Sequence, residues 1–168
     1  MRYIFCNTMI YKLLFMCNLS YCASLRVDPY DGVHLLPVFD FGYYSNSLYI
    51  EKLFSENDIK IVIEVGSWMG GGSTKHFAKL LQEKKGTLYA VDTWLGSSTQ
   101  QPGNVHYQPE LHQAYDHFCS NMIHWGFQGI VIPCKMTSLE AAKCLKSIKP
   151  DLIYIDAEHT TEAVMKGS

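Results

Sequence analysis

The sequence predicts an α/β fold with a mainly parallel sheet, on the evidence of three features. Four short apolar runs rich in β-branched residues alternate with longer stretches whose apolar residues recur at helical spacing. A cluster of glycines separates the first run from its helix, and acidic residues end several of the runs. This alternation is typical of parallel strands joined by right-handed helical crossovers.

The predicted strands are too short to be helices and are apolar on both faces, as expected for strands covered by helices on both sides. They comprise residues 60–65, 87–92, 129–133 and 151–156. Helices are predicted before, between and after these strands, at residues 46–57, 74–85, 109–125, 138–148 and 158–167.

The chain divides into three parts of different character. Residues 1–24 have early basic residues, an apolar stretch and then small residues, which is typical of a secretory signal peptide. An ordinary N-terminal helix or a wrongly assigned start fits them equally well, so we leave this segment out of the fold. Residues 25–45 are rich in proline and glycine and form a loop-rich lead-in, and residues 46–168 form the regular domain.

Composition excludes several classes of function. The chain has 168 residues, a formal net charge of −2 and no basic stripe, so it has no electrostatic signature of nucleic-acid binding. Six cysteines occur without a Cys-x-x-Cys pair, and the sequence therefore signals neither a zinc site nor a redox motif.

The glycine cluster between the first strand and its helix is the main candidate for a binding site. Glycine weakens a scaffold, so four of them between Gly66 and Gly72 suggest that something approaches the backbone closely. A helix N-terminus favours an anion, and Asp92 at the end of the second strand can accept both hydroxyls of a ribose. The sequence therefore suggests a ligand with a nucleoside and an anionic group, and a turn without any ligand is the alternative.

A dinucleotide such as NAD fits the glycine spacing poorly. Its fingerprint is Gly-x-Gly-x-x-Gly, whereas here three other residues separate Gly66 from the run Gly70, Gly71 and Gly72. An acidic residue, Glu64, also stands two positions before the first glycine. An NAD-dependent oxidoreductase is therefore the third choice among the functions considered.

Several motifs carry a resemblance to a known family. The stretch "IEVGSWMGGGS" resembles the first motif of class I S-adenosylmethionine-dependent methyltransferases, and "LYAVDTWLGS" resembles their acidic second motif. The stretch "VIPCKMTSLEAAKCLKSIKPDLIYIDAEH" looks like the macrocin O-methyltransferase type. The resemblance covers residues 46–168 and implies a Rossmann-like methyltransferase fold with S-adenosylmethionine as cofactor.

The resemblance also implies roles for the matching residues. Asp92 would bind the ribose hydroxyls, and Glu64 would help to hold the region of the methionine part. The other residues that would lie along the cofactor are Gly66, Ser67, Gly70, Ser73, Thr93, Trp94 and Ser138.

The end of the fourth strand is where the resemblance implies methyl transfer. Asp156 would activate the acceptor hydroxyl or bind Mg²⁺, which prefers oxygen ligands, and His159 would lie beside it. The first hypothesis is therefore an O-methyltransferase acting on a hydroxyl of a sugar or small metabolite. Supply of the cofactor favours the cytoplasm, whereas a signal peptide in residues 1–24 would export the chain.

The resemblance implies seven strands in the order 3-2-1-4-5-7-6, and this sequence supplies about four of them. An inactive fragment, or a non-catalytic chain that binds a nucleoside or is completed by a partner, is therefore the second hypothesis. Without a fifth strand, residues 152–155 would form a bare apolar edge of the sheet. Such edges recruit other strands, so self-association is expected there.

Overall fold

The structure is a computed structural model, and it describes residues 3–6, 28–97 and 109–157. Five strands form one sheet in which every neighbouring pair runs parallel. They are β1 (Tyr3–Cys6), β2 (Ile61–Val65), β3 (Thr87–Asp92), β4 (Val131–Lys135) and β5 (Leu152–Ile155), in the spatial order β1-β5-β2-β3-β4. The predicted α/β class with a parallel sheet is confirmed.

Four helices connect or precede these strands. They are α1 (Ser47–Glu56), α2 (Ser73–Lys84), α3 (Ala114–His124) and α4 (Ser138–Cys144), with a short 3-10 helix at Pro109–Gln113 leading into α3. Three of them lie within predicted helices, and α2 differs from its prediction by one residue at each end. The helix predicted at 158–167 lies outside the described residues. Among the described residues, no helix is long and apolar enough to cross a membrane.

Strand β4 is the strand whose position differs most from the prediction, since it begins two residues later and ends two residues later. Pro133 lies within it, opposite Ala90 of β3. Proline cannot donate a hydrogen bond to a neighbouring strand, and β4 is an edge strand with β3 as its described neighbour. The edge position therefore accommodates this proline.

The N-terminal segment departs from the sequence analysis, because Tyr3–Cys6 form a strand and not a segment outside the fold. Strand β1 pairs in parallel with β5, from Tyr3 opposite Leu152 to Cys6 opposite Ile155. The prediction that Leu152–Ile155 form the edge of the sheet is therefore wrong. With β1 in this position, the bare edge from which we expected self-association is covered.

Helices cover the sheet unequally. The first three helices contribute Ile50, Phe77 and Phe118 to a large core on one face, whereas α4 and its C-cap contribute Ala141 and Leu145 to a smaller core on the other. The chain therefore passes from one face to the other across β4, between α3 and α4. This reversal brings β5 beside β2, and the carboxyl ends of these two strands form the switch point at which α/β folds bind ligands.

Candidate functional site

The switch point is closed by backbone contact between the two strand ends. Val65, the last residue of β2, lies opposite Ile155 of β5, and the N–H group of Asp156 donates to the carbonyl of Val65 at 2.8 Å. Gly66 has a φ of 94°, and a Cβ atom there would overlap the carbonyl of Asp156. Glycine is therefore required at 66 to bring Asp156 to the glycine turn.

The remaining glycines of the turn also face the protein's own chain. A Cβ atom on Gly70 would collide with Met122 of α3, and one on Gly71 would collide with the backbone of Phe41. Gly42 fits in turn against the backbone of Gly72. Other groups do lie close to the backbone of the turn, as the sequence predicts. At Gly70, Gly71 and Gly72, however, these groups belong to α3 and to the lead-in segment.

Glu64 lies under the turn and is completely buried. Ser73 donates a hydrogen bond to its Oε1 at 2.5 Å, and Thr74 and Ser67 donate to Oε2 at 2.6 and 3.1 Å. Burial raises the pKa of Glu64 to about 7, and the hydrogen bonds from the three hydroxyls oppose that rise. Glu64 therefore supports the turn from within.

This arrangement directs the side chains of two serines predicted to bind the cofactor. Ser67 and Ser73 are 5% and 7% exposed, and both hydroxyls are committed to Glu64. Their side chains therefore act on the shape of the turn. The sequence contains a signal for this arrangement, because residues with hydroxyl groups at positions 67, 73 and 74 follow an acidic residue at the end of a strand. The directions of their side chains, however, depend on the path of the turn.

Asp92, at the end of β3, holds the outer side of the same turn. Its Oδ2 accepts hydrogen bonds from the N–H groups of Ser67 and Trp68 at 3.0 and 2.9 Å, and its Oδ1 accepts one from Trp94 at 2.8 Å. An ionised carboxylate offers about four acceptor positions, so the described residues leave one position on Oδ1 open. Asp92 can therefore accept one ribose hydroxyl with the turn in place, where the sequence suggested two.

Two tryptophans beside Asp92 have left-handed backbone conformations. Trp68 and Trp94 have φ values of 48° and 53°, which are uncommon for bulky residues, and the indole N–H of Trp94 donates to the carbonyl of Trp68 at 2.5 Å. Trp94 is 3% exposed and packs against Tyr115 and Phe118. Its side chain, which we expected beside the adenosine, is therefore part of the core.

The remaining predicted residues lie along the same edge of the sheet. Thr93 follows Asp92 and is half-buried, and Ser138 begins α4 after the end of β4. Thr137 caps that helix through a reciprocal pair of hydrogen bonds with Glu140, which fixes where α4 begins. His159 lies outside the described residues.

Magnesium does not fit the described donors at the switch point. Magnesium requires near-octahedral coordination by oxygen atoms, and no group of three potential metal-binding side chains occurs in the described part of the chain. Asp156 is half-buried there, and the nearby carboxylate of Glu64 already accepts three hydroxyls. The tentative metal role of Asp156 is therefore not supported by these residues.

Sequence reasoning missed the two polar residues that hold the lead-in segment. Ser120 and Asn121 of α3 are completely buried, and they bind the backbone N–H and C=O groups of Leu36 and Phe39. Asn121 also donates to the carbonyl of Met69 in the glycine turn at 2.8 Å. One asparagine thus joins α3, the lead-in segment and the turn.

The sheet order, the switch point and the acidic strand ends define a Rossmann-like α/β protein. The sequence model of a family described as a methyltransferase domain matches residues 63–166, more than half of the chain. The chain belongs to this methyltransferase family, whose usual methyl donor is S-adenosylmethionine. No curated protein sequence matches it.

Proposed function

We propose that the chain binds S-adenosylmethionine at the switch point and transfers its methyl group to a hydroxyl of a sugar or small metabolite. The observation that carries this proposal is that Asp92, in a chain of a methyltransferase family, accepts only one hydrogen bond from the described residues on its Oδ1 atom. Asp92 lies at the end of β3, next to the strand whose glycine turn contacts Asp156. A nucleoside held there through one ribose hydroxyl would lie between Asp92 and the end of β5.

The described residues fit the nucleoside half of this cofactor. Asp92 is half-buried, and two N–H groups fix the backbone of the turn against its carboxylate. Thr93 and Ser138 would border the base at the ends of β3 and β4. Glu64, Ser67 and Ser73 would support the turn without touching the ligand.

The protein's part in the reaction is alignment and removal of one proton. When bound, the cofactor supplies a methyl group activated by its sulfonium sulfur. Asp156 would accept the proton of the acceptor hydroxyl as the oxygen forms its bond to the methyl carbon and the carbon–sulfur bond breaks. Alignment of the reacting atoms and general-base catalysis each contribute large rate factors, so this geometry would suffice.

Ligand variants test the proposal without disturbing the turn. We expect calorimetry to show binding of S-adenosylhomocysteine, with NAD as the control that does not compete. Of its 2′-deoxy and 3′-deoxy analogues, the one lacking the hydroxyl that Asp92 accepts should bind about 10–100-fold more weakly, because a charge-assisted hydrogen bond contributes about 1.5–3 kcal/mol. Equal affinity for both analogues and the parent would contradict the role of Asp92.

The transfer step needs a separate assay. Radiolabelled S-adenosylmethionine would be incubated with a panel of monosaccharides and small hydroxy compounds, and labelled products counted. We expect transfer to at least one hydroxyl compound and none in the Asp156→Asn variant. Binding of S-adenosylhomocysteine without transfer to any compound would support the non-catalytic alternative.

A further inference from the structure

Lys135, the last residue of β4, is the charged neighbour of Asp92 on the adjacent strand. The two residues lie directly opposite each other in the parallel register of β3 and β4. Leu88 and Val131, four residues earlier on the two strands, both belong to the large core. Because successive side chains point to opposite faces and neighbouring strands lie about 4.8 Å apart, Asp92 and Lys135 leave the sheet side by side on that face.

The ammonium group of Lys135 lies beside the aromatic residues that border Asp92. Its Nζ is 4.4 Å from the centroid of the Tyr115 ring, which is a cation–π contact. The Tyr115 ring packs at 4.9 Å against that of Trp94, and the backbone N–H group of Trp94 donates to Oδ1 of Asp92 at 2.8 Å. Two packed aromatic residues thus connect the charged groups, with one under the cation and the other bound to the carboxylate.

The two charged groups are not paired with each other. The ion pairs among the described residues include none between Lys135 and Asp92. The side chain of Lys135 is exposed, and its Nζ donates no hydrogen bond within the described part of the chain, although an ammonium group carries three donors. A free cation therefore lies next to a carboxylate on which the described residues leave one acceptor position open.

A ribose carries two neighbouring hydroxyl groups, and these two residues offer each hydroxyl a different partner. A carboxylate can only accept, so one hydroxyl donates its proton to Oδ1 of Asp92. An ammonium group can only donate, so the oxygen of the other hydroxyl accepts from Nζ of Lys135. The sequence suggested that Asp92 accepts both hydroxyls, but three backbone N–H groups already occupy most of its acceptor positions.

We propose that Lys135 is a second ribose-binding residue, which donates from Nζ to the hydroxyl next to the one that Asp92 accepts. The inference rests on the proposed function, in which the nucleoside of S-adenosylmethionine lies at this edge of the sheet. The contact with Tyr115 restrains the ammonium group before the ligand arrives, which lowers the entropy cost of ordering a lysine side chain. The site would thereby recognise both hydroxyls and select a ribonucleoside over either deoxy form.

Calorimetry with S-adenosylhomocysteine tests the proposal without methyl transfer. We expect Lys135→Met, which keeps an unbranched side chain and removes the charge, to weaken binding about 10-fold, the lower end of the range for a hydrogen bond to a charged group. Lys149→Met is the matched control and should bind like the parent, because Lys149 is exposed and precedes β5 at the opposite end of the strands. Equal affinities of Lys135→Met and the parent would overturn the proposal.

The 2′-deoxy and 3′-deoxy analogues distinguish a hydrogen bond from a general effect of charge or folding. In the parent, removal of either hydroxyl should weaken binding. In Lys135→Met, removal of one hydroxyl should change the affinity by less than about twofold, because its partner is already absent. Removal of the hydroxyl that Asp92 accepts should still weaken binding by about 10-fold or more. If both analogues lose as much affinity in Lys135→Met as in the parent, Lys135 does not bind a hydroxyl and the proposal is wrong.

The same experiment separates failure of this inference from failure of the proposed function. A parent chain that binds no S-adenosylhomocysteine would overturn both. Binding by the parent, with unchanged hydroxyl preferences in Lys135→Met, would overturn the role of Lys135 and leave that of Asp92 intact. Because Lys135 is exposed, we expect the variant to unfold at the temperature of the parent, so weaker binding reports the lost contact.

Discussion

Two carboxylates hold the same glycine turn from opposite sides, and their surroundings differ. Glu64 is buried beneath the turn and accepts three side-chain hydroxyls, whereas Asp92 is half-buried beside it and accepts three backbone N–H groups. The first has no exposed surface, and the second keeps an open acceptor position. The difference teaches that a strand-end acid in such a fold can shape the site without being able to bind anything in it.

Removal of the Glu64 carboxylate should have the largest effect. Glu64→Ala leaves three buried hydroxyls without their acceptor, and each unsatisfied group costs about 1–3 kcal/mol. We expect the free energy of unfolding to fall by about 3–5 kcal/mol in urea titrations at neutral pH. Glu56→Ala, at an exposed position of α1, is the control and should change it by less than about 0.5 kcal/mol. A loss as small as the control's would mean that Glu64 does not hold the turn.

The pH dependence of the free energy of unfolding should reveal the contribution of Glu64, because a raised pKa makes that contribution decrease as pH rises. Its folded pKa is about 7 and lies above its unfolded value, so the folded state binds the proton more tightly. The stabilising contribution is present at acidic pH and is lost as pH rises through about 7. Relative to Glu64→Gln, which does not titrate, we expect the parent to lose about 3 kcal/mol between pH 4 and pH 8, because each pKa unit corresponds to about 1.4 kcal/mol. Parallel pH profiles for the two proteins would contradict a raised pKa.

Removal of the Asp92 carboxylate should lower the free energy of unfolding less than removal of the Glu64 carboxylate, and it should weaken ligand binding more. Asp92→Ala frees three N–H groups, but the site is half-buried and water can replace part of what is lost. We expect a decrease of about 2 kcal/mol in the free energy of unfolding, together with loss of calorimetric binding of S-adenosylhomocysteine. Asp31→Ala, at an exposed acid in the lead-in segment, serves as the control. An unchanged affinity for S-adenosylhomocysteine in this variant would remove Asp92 from the site.

Single hydroxyl deletions around Glu64 should have the smallest effects and should be ordered by distance. Ser73 lies 2.5 Å from the carboxylate and Ser67 lies 3.1 Å from it. We expect Ser73→Ala to cost about 1–1.5 kcal/mol and Ser67→Ala about 0.5 kcal/mol, since a net hydrogen bond contributes about 1 kcal/mol. Thermal unfolding of the two variants measures the two losses of stability. A larger loss in Ser67→Ala than in Ser73→Ala would contradict the order of the hydrogen-bond distances.

The sequence predicts the strands that form the site better than the directions of the side chains within it. Strands β2, β3 and β5 were found because β-branched runs bounded by polar residues are a local signal. The meeting of Gly66, Asp92 and Asp156 at one edge followed from the parallel order of the strands. The direction of a side chain in a turn depends on the path of the backbone, which is why the inward indole of Trp94 was not foreseen.

Contacts between distant parts of the chain were beyond sequence reasoning for a second reason. Ser120 binds a residue 84 positions away, and nothing local distinguishes a buried serine on a helix from one that faces solvent. The strand at Tyr3–Cys6 was missed because its segment has the composition of a signal peptide. The contact of Ser120 and the pairing of this strand both depend on which surfaces the rest of the fold leaves uncovered.

The way in which α3 holds the lead-in segment has a consequence for how this region can change. Ser120 and Asn121 bind main-chain atoms of Leu36 and Phe39, so they recognise the path of that segment and not its side chains. Leu35, Val38 and Phe41 lie along the same path and are 50%, 49% and 71% exposed. The side chains at these three positions can therefore vary beside the glycine turn more readily than the route of the backbone that carries them.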